Sequence, residues 1–464
     1  MTDPGAESLT LVWFTEDLRC SDNPALHAAA ERGRVLAVYV DDPARHGDWP
    51  PGPASRAWLH HSLHALTGEL AALGIELAVR RGDSATELSR LAEQTRADRL
   101  HCAQPLEPAA RRALAAIEGA LDERGIRLQT FGHRLLHDPD TLRNRAGGHW
   151  RVFTPMWKSL RSTLEASPPR PLPLPAPQAD PVDPAPSREA IDALALRPAS
   201  GWDRGFDAAG QAGSANAQLA LEGFVERTLS GYGNGRDFPA RGRVSGLSPH
   251  LHFGEVSPAQ VWHAVMQAQH SGEGSGDDAW KFLSELAWRE FAHHVLWHRP
   301  ECPTTPLNPR FEQFAWREPE HEPAAAADLL AWQRGRTGVA LVDAGMRELW
   351  ATGRMHNRVR MVAASFLCKN LRLHWLHGAR WFWHTLVDAD LANNTMGWQW
   401  CAGCGADAAP FFRIFNPDTQ AERFDPDGRY RARWRAADPV SEAIVDLKRS
   451  RQQALEAYRN LPSA

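Results

Sequence analysis

The chain has 464 residues, 43% of them hydrophobic, and a formal charge of −4. That is enough for two or three domains with sizeable cores, and no run approaches the ~20 apolar residues of a membrane span. Six scattered cysteines exclude a disulfide framework, and the mild acidity excludes a protein that coats nucleic acid indiscriminately while leaving room for a local basic surface. Met1–Glu7 has no basic start followed by an apolar stretch, so the chain is expected to stay in the cytoplasm.

Taken in chain order, short apolar runs alternate with amphipathic stretches from Ser8 to about Phe131. The runs 9–14, 35–40, 75–79 and 126–131 predict strands. The Ala/Leu-rich segments 24–32, 54–73, 84–94 and 108–124 predict helices between them. This alternation predicts a parallel sheet covered by helices on both faces. The first strand runs into Thr15-Glu-Asp-Leu-Arg19 without a glycine-rich turn, which argues against a dinucleotide enzyme of the usual kind, and Gly231-Tyr-Gly-Asn-Gly235 lacks that fingerprint. Nine prolines between Pro168 and Pro186 predict an extended connector.

Beyond Trp202 strand signals nearly vanish, and helices are expected over 216–230, 278–298, 343–371 and 380–387. Fourteen of the nineteen tryptophans lie from Trp202 onward, and Trp398 and Trp400 share the segment 388–400 with carboxylates and amides. Flat rings beside polar groups point to a planar cofactor, a nucleobase, or both.

Glu285, Trp288 and Arg289 fall at i, i+3 and i+4, which puts an acceptor, a ring and a guanidinium on one helical face. A salt-bridged helix with Trp288 in the core satisfies the same spacing. Asn357 and Met361 share another face, and three arginines, Arg354, Arg358 and Arg360, crowd within seven residues. Clustered arginines neutralise phosphates when exposed and need carboxylates when buried, with Asp388 and Asp390 as candidate partners. For Arg354 alone a solvated basic face is the plainer reading. Ser245 and Ser248 precede a helix start at Pro249, as a phosphate cradle or as ordinary N-caps. Cys401-Ala-Gly-Cys404 matches C-x-x-C, but Cys20, Cys102, Cys302 and Cys368 supply no second ligand pair, so packing cysteines and no metal are expected.

In this order the segments resemble the photolyase/cryptochrome family, and within it bacterial cyclobutane pyrimidine dimer photolyases. The likeness runs from Val12-Trp-Phe-Thr-Glu-Asp-Leu-Arg19 to Phe424-Asp-Pro-Asp-Gly428. Its most specific motifs are Ser284-Glu-Leu-Ala-Trp-Arg-Glu-Phe291, Met355-His-Asn-Arg358, Asp388-Ala-Asp-Leu-Ala-Asn-Asn394, Gly397-Trp-Gln-Trp400 and Phe412-Arg-Ile-Phe-Asn-Pro417. The resemblance implies an α/β antenna domain with a Rossmann-like, five-stranded parallel sheet (1–135), a Pro-rich linker (136–201) and a mostly α-helical FAD-binding catalytic domain (202–464). It places Tyr232, Ser245, Leu247 and Ser248 at the FAD diphosphate. Asn357, Arg360, Asp388, Asp390 and Asn394 surround the ribityl chain and isoalloxazine, with Asn394 toward N5, and Phe282, Glu285 and Arg289 are further cofactor contacts.

By the same resemblance Glu285, Trp288, Asn357, Met361 and Trp400 line a cavity for a dimer turned out of UV-damaged DNA, while Arg236, Arg358 and Arg413 meet DNA phosphates. Trp316, Trp375 and Trp398 match a relay that reduces oxidised flavin under light. The implied reaction is dimer splitting by an electron lent from excited, reduced FAD, in a monomer that also carries an antenna chromophore of the folate or deazaflavin type. Relatives acting on (6-4) photoproducts place histidines where Asn357 and Met361 stand, so the cyclobutane dimer is favoured. A cryptochrome-type blue-light sensor without repair activity is the alternative, and a flavin-free module that docks on damaged DNA is another.

Several positions depart from the family pattern. Val244-Ser-Gly-Leu-Ser248 stands where Thr-Ser-Arg-Leu-Ser is usual, so either flavin affinity falls or another arginine substitutes. Arg354 replaces a usual tryptophan and Val339-Ala340 a usual Tyr-Pro, changes expected to loosen the pocket. The chain passes from Trp434 almost directly to Ile444, skipping part of the substrate-side rim. Leu106-Glu-Pro-Ala-Ala110 lacks the polar residues that hold a folate, and Trp58 reads as a helix-buried tryptophan.

Overall fold

The computed structural model describes residues 8–182, 187–272, 276–408, 412–438 and 442–462; the leaderless start expected at Met1–Glu7 lies outside them. The first domain alternates β1 (Leu9–Trp13), α1 (Pro24–Ala30), β2 (Arg34–Asp41), α2 (Pro53–Ala72), β3 (Leu77–Arg81), α3 (Ser84–Thr95), β4 (Arg99–Ala103), α4 (Pro108–Asp122) and β5 (Arg127–Phe131). All pairings are parallel, in the order β3-β2-β1-β4-β5. Leu11 of β1 stands opposite Leu36 of β2 and Leu100 of β4. β1 is buried along its whole length, as a central strand sandwiched by helices must be. β4 was not among the apolar runs because Arg99 and His101 interrupt it, although Leu100 and Cys102 are buried. His101 is buried as well, its Nδ1 3.2 Å from the Ala25 carbonyl.

The turn after β1 lies where α/β sheets usually bind nucleotides, and here protein fills it. Asp17 is fully buried and accepts from the Thr15 amide at 2.9 Å, with His133 at 3.5 Å. Arg19 donates to the carbonyls of Asp22 (3.1 and 2.6 Å) and Gly254 (2.8 Å). The Thr15–Arg19 motif therefore ties the two domains together instead of cradling a phosphate.

The connector differs from the expected 136–201 boundaries. Residues 168–182 carry neither helix nor strand, as the prolines require, but α5 (Phe153–Ala166) precedes them. Phe153, Met156, Leu160 and Leu164 of α5 belong to the core of the second domain. After the connector, α6 (Ser187–Ala193) returns to the first domain, where Ile191 and Leu194 pack with the α2 leucines.

The second domain is helical: α7 (Ser214–Arg227), α8 (Tyr232–Gly235), α9 (Ser248–His252), α10 (Pro258–Ser271), α11 (Gly276–His298), α12 (Pro323–Gln333), α13 (Ala340–Thr352), α14 (Asn357–Ser365), α15 (Trp375–Thr385), α16 (Leu391–Ala402), α17 (Pro417–Phe424), α18 (Arg429–Arg433) and α19 (Leu447–Arg459). The helix expected over 343–371 is broken. Gly353 ends α13 in the left-handed region at φ 66°, His356 caps α14 by accepting from the Arg358 amide at 3.2 Å, and a π-helical turn follows at Phe366–Asn370. Among the described residues no helix is long and apolar enough to cross a membrane.

Candidate functional site

The site is built where α11, α14 and α16 meet the loop before α9. Two aspartates in the first turn of α11 suit its positive end. One of them, Asp278, also accepts from the amides of Gly231 (2.8 Å) and Gly233 (2.7 Å). This fixes Tyr232, whose buried ring packs edge-on against Phe282 at 5.4 Å. One turn further along, Glu285 pairs with Arg236 and with Lys281 at 3.0 Å. Trp288 is half-buried and stacks flat on Phe153, with centroids 3.6 Å apart and planes at 9°. Arg289 is buried and turned away from this face, donating to the carbonyls of Arg134 (2.9 Å) and Leu251 (3.4 Å). The expected three-residue grip is therefore a two-residue one in which Glu285 and Trp288 face outward.

A second cluster centres on Asp388. Its carboxylate receives Nη2 of Arg360 at 3.0 and 2.9 Å and the hydroxyl of Ser248 at 2.6 Å. Burial alone would raise this carboxyl, but Arg360, Ser248 and Arg354 hold it below its usual range. Two residues on, Asp390 caps α16 by accepting from the Asn393 amide at 2.8 Å. It is also buried, yet His293 at 3.4 Å and His252 at 3.8 Å hold it well below the carboxylate range, so it stays ionised. Asn394 donates its Nδ2 to the Ala379 carbonyl at 3.0 Å, which fixes its amide. Leu247 is buried behind the loop, and the Ser245 hydroxyl lies 3.4 Å from the Leu247 amide.

On α14, Asn357 and Met361 share a face as expected, with Nδ2 3.9 Å from Sδ. Arg358 pairs with Asp237 at 2.9 Å and lies over Phe424, so the carboxylate that holds it is not Asp388. Trp400 packs near Phe415 at 6.2 Å with the Arg413 guanidinium 5.2 Å from its ring. Trp398 and Trp375 are almost wholly buried. Trp398 sits directly on Gly378 of α15, one turn from Trp375, and the His374 ring stands between Trp375 (5.6 Å) and Trp316 (5.2 Å). Cys401 and Cys404 are buried, and burial pushes both thiols up to about 12, as packing residues require.

Residues the motifs did not single out complete the site. Phe153 backs Trp288 from α5, Asp237 holds Arg358, and His252 and His293 flank Asp390. Only His293 carried a readable signal, standing four residues after Arg289 on the same helical stripe.

The cluster leaves groups open to a polar ligand. Asp390 Oδ2 is buried without a hydrogen bond, as are Nε and Nη2 of Arg354. A model of the FAD-binding domain of DNA photolyase matches residues 282–437, and one of DNA photolyase matches residues 10–178. A deoxyribodipyrimidine photo-lyase of Agrobacterium fabrum is 42% identical over 430 residues, 91% of this chain and 86% of that one. The chain belongs to the DNA photolyase family. Its enzyme class is that of the photo-lyases, and FAD is its cofactor. A solved bacterial class III photolyase from Agrobacterium tumefaciens matches this photolyase-family fold with a TM-score of 0.89 and 38% identity, covering 99% of each chain. Cryptochrome-1 of Arabidopsis thaliana is 35% identical over 440 residues, 93% of this chain but 63% of that one.

Proposed function

We propose that this chain repairs cyclobutane pyrimidine dimers in DNA. The observation that carries the reading is Trp288: an indole half-open to solvent and stacked at 3.6 Å on Phe153, one turn from a carboxylate oriented by two cations. A core tryptophan is covered on every side, whereas an indole backed by Phe153 and half-open to solvent can stack a base, and a carboxylate one turn away can accept from that base's edge.

In this reading Trp288 and Trp400 take the faces of the extruded lesion. Glu285, oriented by its pairs with Arg236 and Lys281, accepts a hydrogen bond from a pyrimidine N–H. Asn357 and Met361 supply an amide and a soft apolar surface, with no histidine to pass a proton, which suits a ring-opening that needs none. Arg413 and the half-buried Arg236 and Arg358 steer phosphates without reading sequence. Bound, fully reduced FAD would supply the light-driven electron chemistry, an electron lent to the cyclobutane ring and returned after it opens, so that the overall reaction would be redox-neutral. Asp388, Arg360 and Ser248 hold the cofactor's polar chain, and Tyr232, Ser245 and Leu247 lie toward its phosphates. Asn394, fixed by Ala379, tunes the flavin. Trp398, Trp375 and Trp316 carry electrons in from the surface. The protein acts as a monomer in the cytoplasm, a compartment its six free, buried cysteines suit.

The test is reduced protein with a thymine-dimer oligonucleotide, blue light against dark. Trp288→Ala should weaken binding of the dimer by about 1 to 3 kcal/mol and cut repair accordingly. A parent protein that leaves dimers intact under light points to the signalling alternative. A Trp288→Ala protein that binds and repairs like its parent removes the cavity assignment.

A further inference from the structure

The guanidinium of Arg354 lacks an acceptor. The residue lies on the turn between α13 and α14, and its Nε and Nη2 are shut off from solvent with no hydrogen-bond partner. Two carboxylates act on its charge, Asp388 and Glu255, and both are committed elsewhere. Asp388 is taken by Arg360 and Ser248. Glu255 Oε1 accepts from the Trp58 indole N–H (3.1 Å), the Ser62 hydroxyl (2.5 Å) and the Gly213 amide (2.8 Å), while Oε2 faces His250. Arg360 adds a second positive charge nearby. A half-buried cation with two inaccessible donors unmade is costly, and the ordinary remedy is an anion brought from outside the chain.

The surroundings say from which side it comes. The Trp58 ring lies 5.3 Å from the guanidinium carbon. On the Nη2 side, a Cβ on Gly210 would stand 2.9 Å away. Gly210 also borders a cavity of about 340 Å³ lined by Trp58, Asp203 and Gln211. Asp203 is buried there with its Oδ2 already paired to Arg197 at 2.6 Å and its Oδ1 facing inward without a donor, so that side offers an anion a carboxylate and no spare cation. On the Nη1 side lies Gly246, at φ +70°, whose Cβ would stand 3.9 Å from Nη1. Gly246 sits between Ser245 and Leu247, in the loop that sends the Ser248 hydroxyl to Asp388. The space a side chain at 246 would fill is next to Nη1 of this guanidinium instead.

We propose that Arg354 binds the diphosphate of FAD, supplying from the α13–α14 turn the guanidinium that the 244–248 segment lacks. The inference rests on FAD being the cofactor and is independent of which lesion is repaired. Arg354 is thus a binding residue, and its removal has opposite effects on the loaded and the empty protein. The loaded protein loses charge-assisted hydrogen bonds, while the empty one is relieved of an uncompensated cation.

Full-length Arg354→Ala and Arg354→Lys proteins separate these effects. FAD release, followed by the rise of free-flavin fluorescence after dilution, should be about 10- to 100-fold faster in Arg354→Ala, with Arg354→Lys in between. After flavin is stripped, Arg354→Ala should melt at or above the temperature of the stripped parent. Inorganic phosphate should raise the melting temperature of the stripped parent and leave the alanine variant unmoved. The proposal is overturned if Arg354→Ala releases FAD at the parental rate, if phosphate protects both proteins equally, or if the stripped variant melts several degrees below the stripped parent. That last outcome would show a structural pairing within the chain. Should Arg354→Ala not accumulate, Arg354→Gln keeps the volume and removes the charge, and the same three readings apply to it.

Discussion

Gly378 offers a case in which two elementary rules oppose each other. It lies in the interior of α15, where replacing glycine by alanine ordinarily stabilises by about 0.5 to 1 kcal/mol through backbone entropy and propensity. A Cβ built at this position would stand 2.6 Å from Cζ2 of Trp398, with Cη2 and Cζ3 closer still. Carbon atoms settle at about 3.5 to 4 Å, so the indole would have to move by about 1 Å or more. It has nowhere to go, since its ring is edge-on to Phe382 at 4.9 Å and to Trp332 at 6.0 Å in a fully buried layer. Overpacking of that kind costs about 1 to 3 kcal/mol, so the net effect should reverse the propensity rule. Melting of the flavin-loaded protein, followed by intrinsic fluorescence, should show Gly378→Ala below the parent by a few degrees. The same change in a Trp398→Phe background, where a smaller ring leaves room, should cost much less. An alanine variant as stable as the parent or more so, with no coupling to position 398, would refute the argument that Trp398 is seated on the α15 backbone.

Two further outcomes follow from buried groups. Lys369 lies in the π-helical turn, fully buried, its Nζ without a hydrogen bond and 3.1 Å from the centre of the Phe412 ring. Burial pushes its ammonium down from 10.5 to about 7. The unfolded chain therefore binds more protons than the native one between about pH 7 and 10.5. Stability should rise with pH across that window, with the full penalty, about 4 to 5 kcal/mol, felt below pH 7. Lys369→Met should raise stability at pH 7 and flatten the profile, as urea titrations from pH 6 to 10 will show; an unchanged slope would mean that the lysine is not buried charged. For the tryptophan series, Trp398→Phe should abolish light-driven reduction of oxidised flavin by an external thiol while leaving repair by chemically pre-reduced protein near parental rates. Loss of both activities together would move Trp398 from electron transport to the architecture of the pocket.

The sequence disclosed the parts of the molecule that obey local rules. Strand and helix alternation gave the first domain its sheet, and β4 escaped because Arg99 and His101 break an apolar pattern that burial nonetheless overrides. The motifs around Glu285, Asn357 and Asp388 converge in space, and Asp388 was foreseen as an arginine's partner. Which arginine it takes was beyond local reading: Arg360 points at it, Arg358 is drawn off by Asp237, and Arg289, spaced to share a face with Glu285, is spent on two carbonyls. Phe153 lies 135 residues before Trp288 in a stretch expected to be connector, so no periodicity within α11 could announce it. For Arg354 the sequence favours a solvated charge; only the crowding of Trp58 and Gly210 around it leaves the residue half-buried with Nε and Nη2 shut off from solvent.

The approach of main chain to main chain at Gly254 and Gly52 sets how the whole molecule behaves mechanically. A methyl at Gly254 would fall 2.5 Å from Cα of Asp17, and one at Gly52 would fall 2.8 Å from Cα of His384. Leu18 donates to the Phe253 carbonyl across the first seam at 3.0 Å, and Trp383 to the Pro50 carbonyl across the second at 2.7 Å. Such seams admit no hinge. The two lobes should melt as one body, pieces cut apart at the prolines should not fold alone, and any light-gathering molecule carried by the first lobe would sit at a distance from the flavin fixed by glycines rather than by the connector's length.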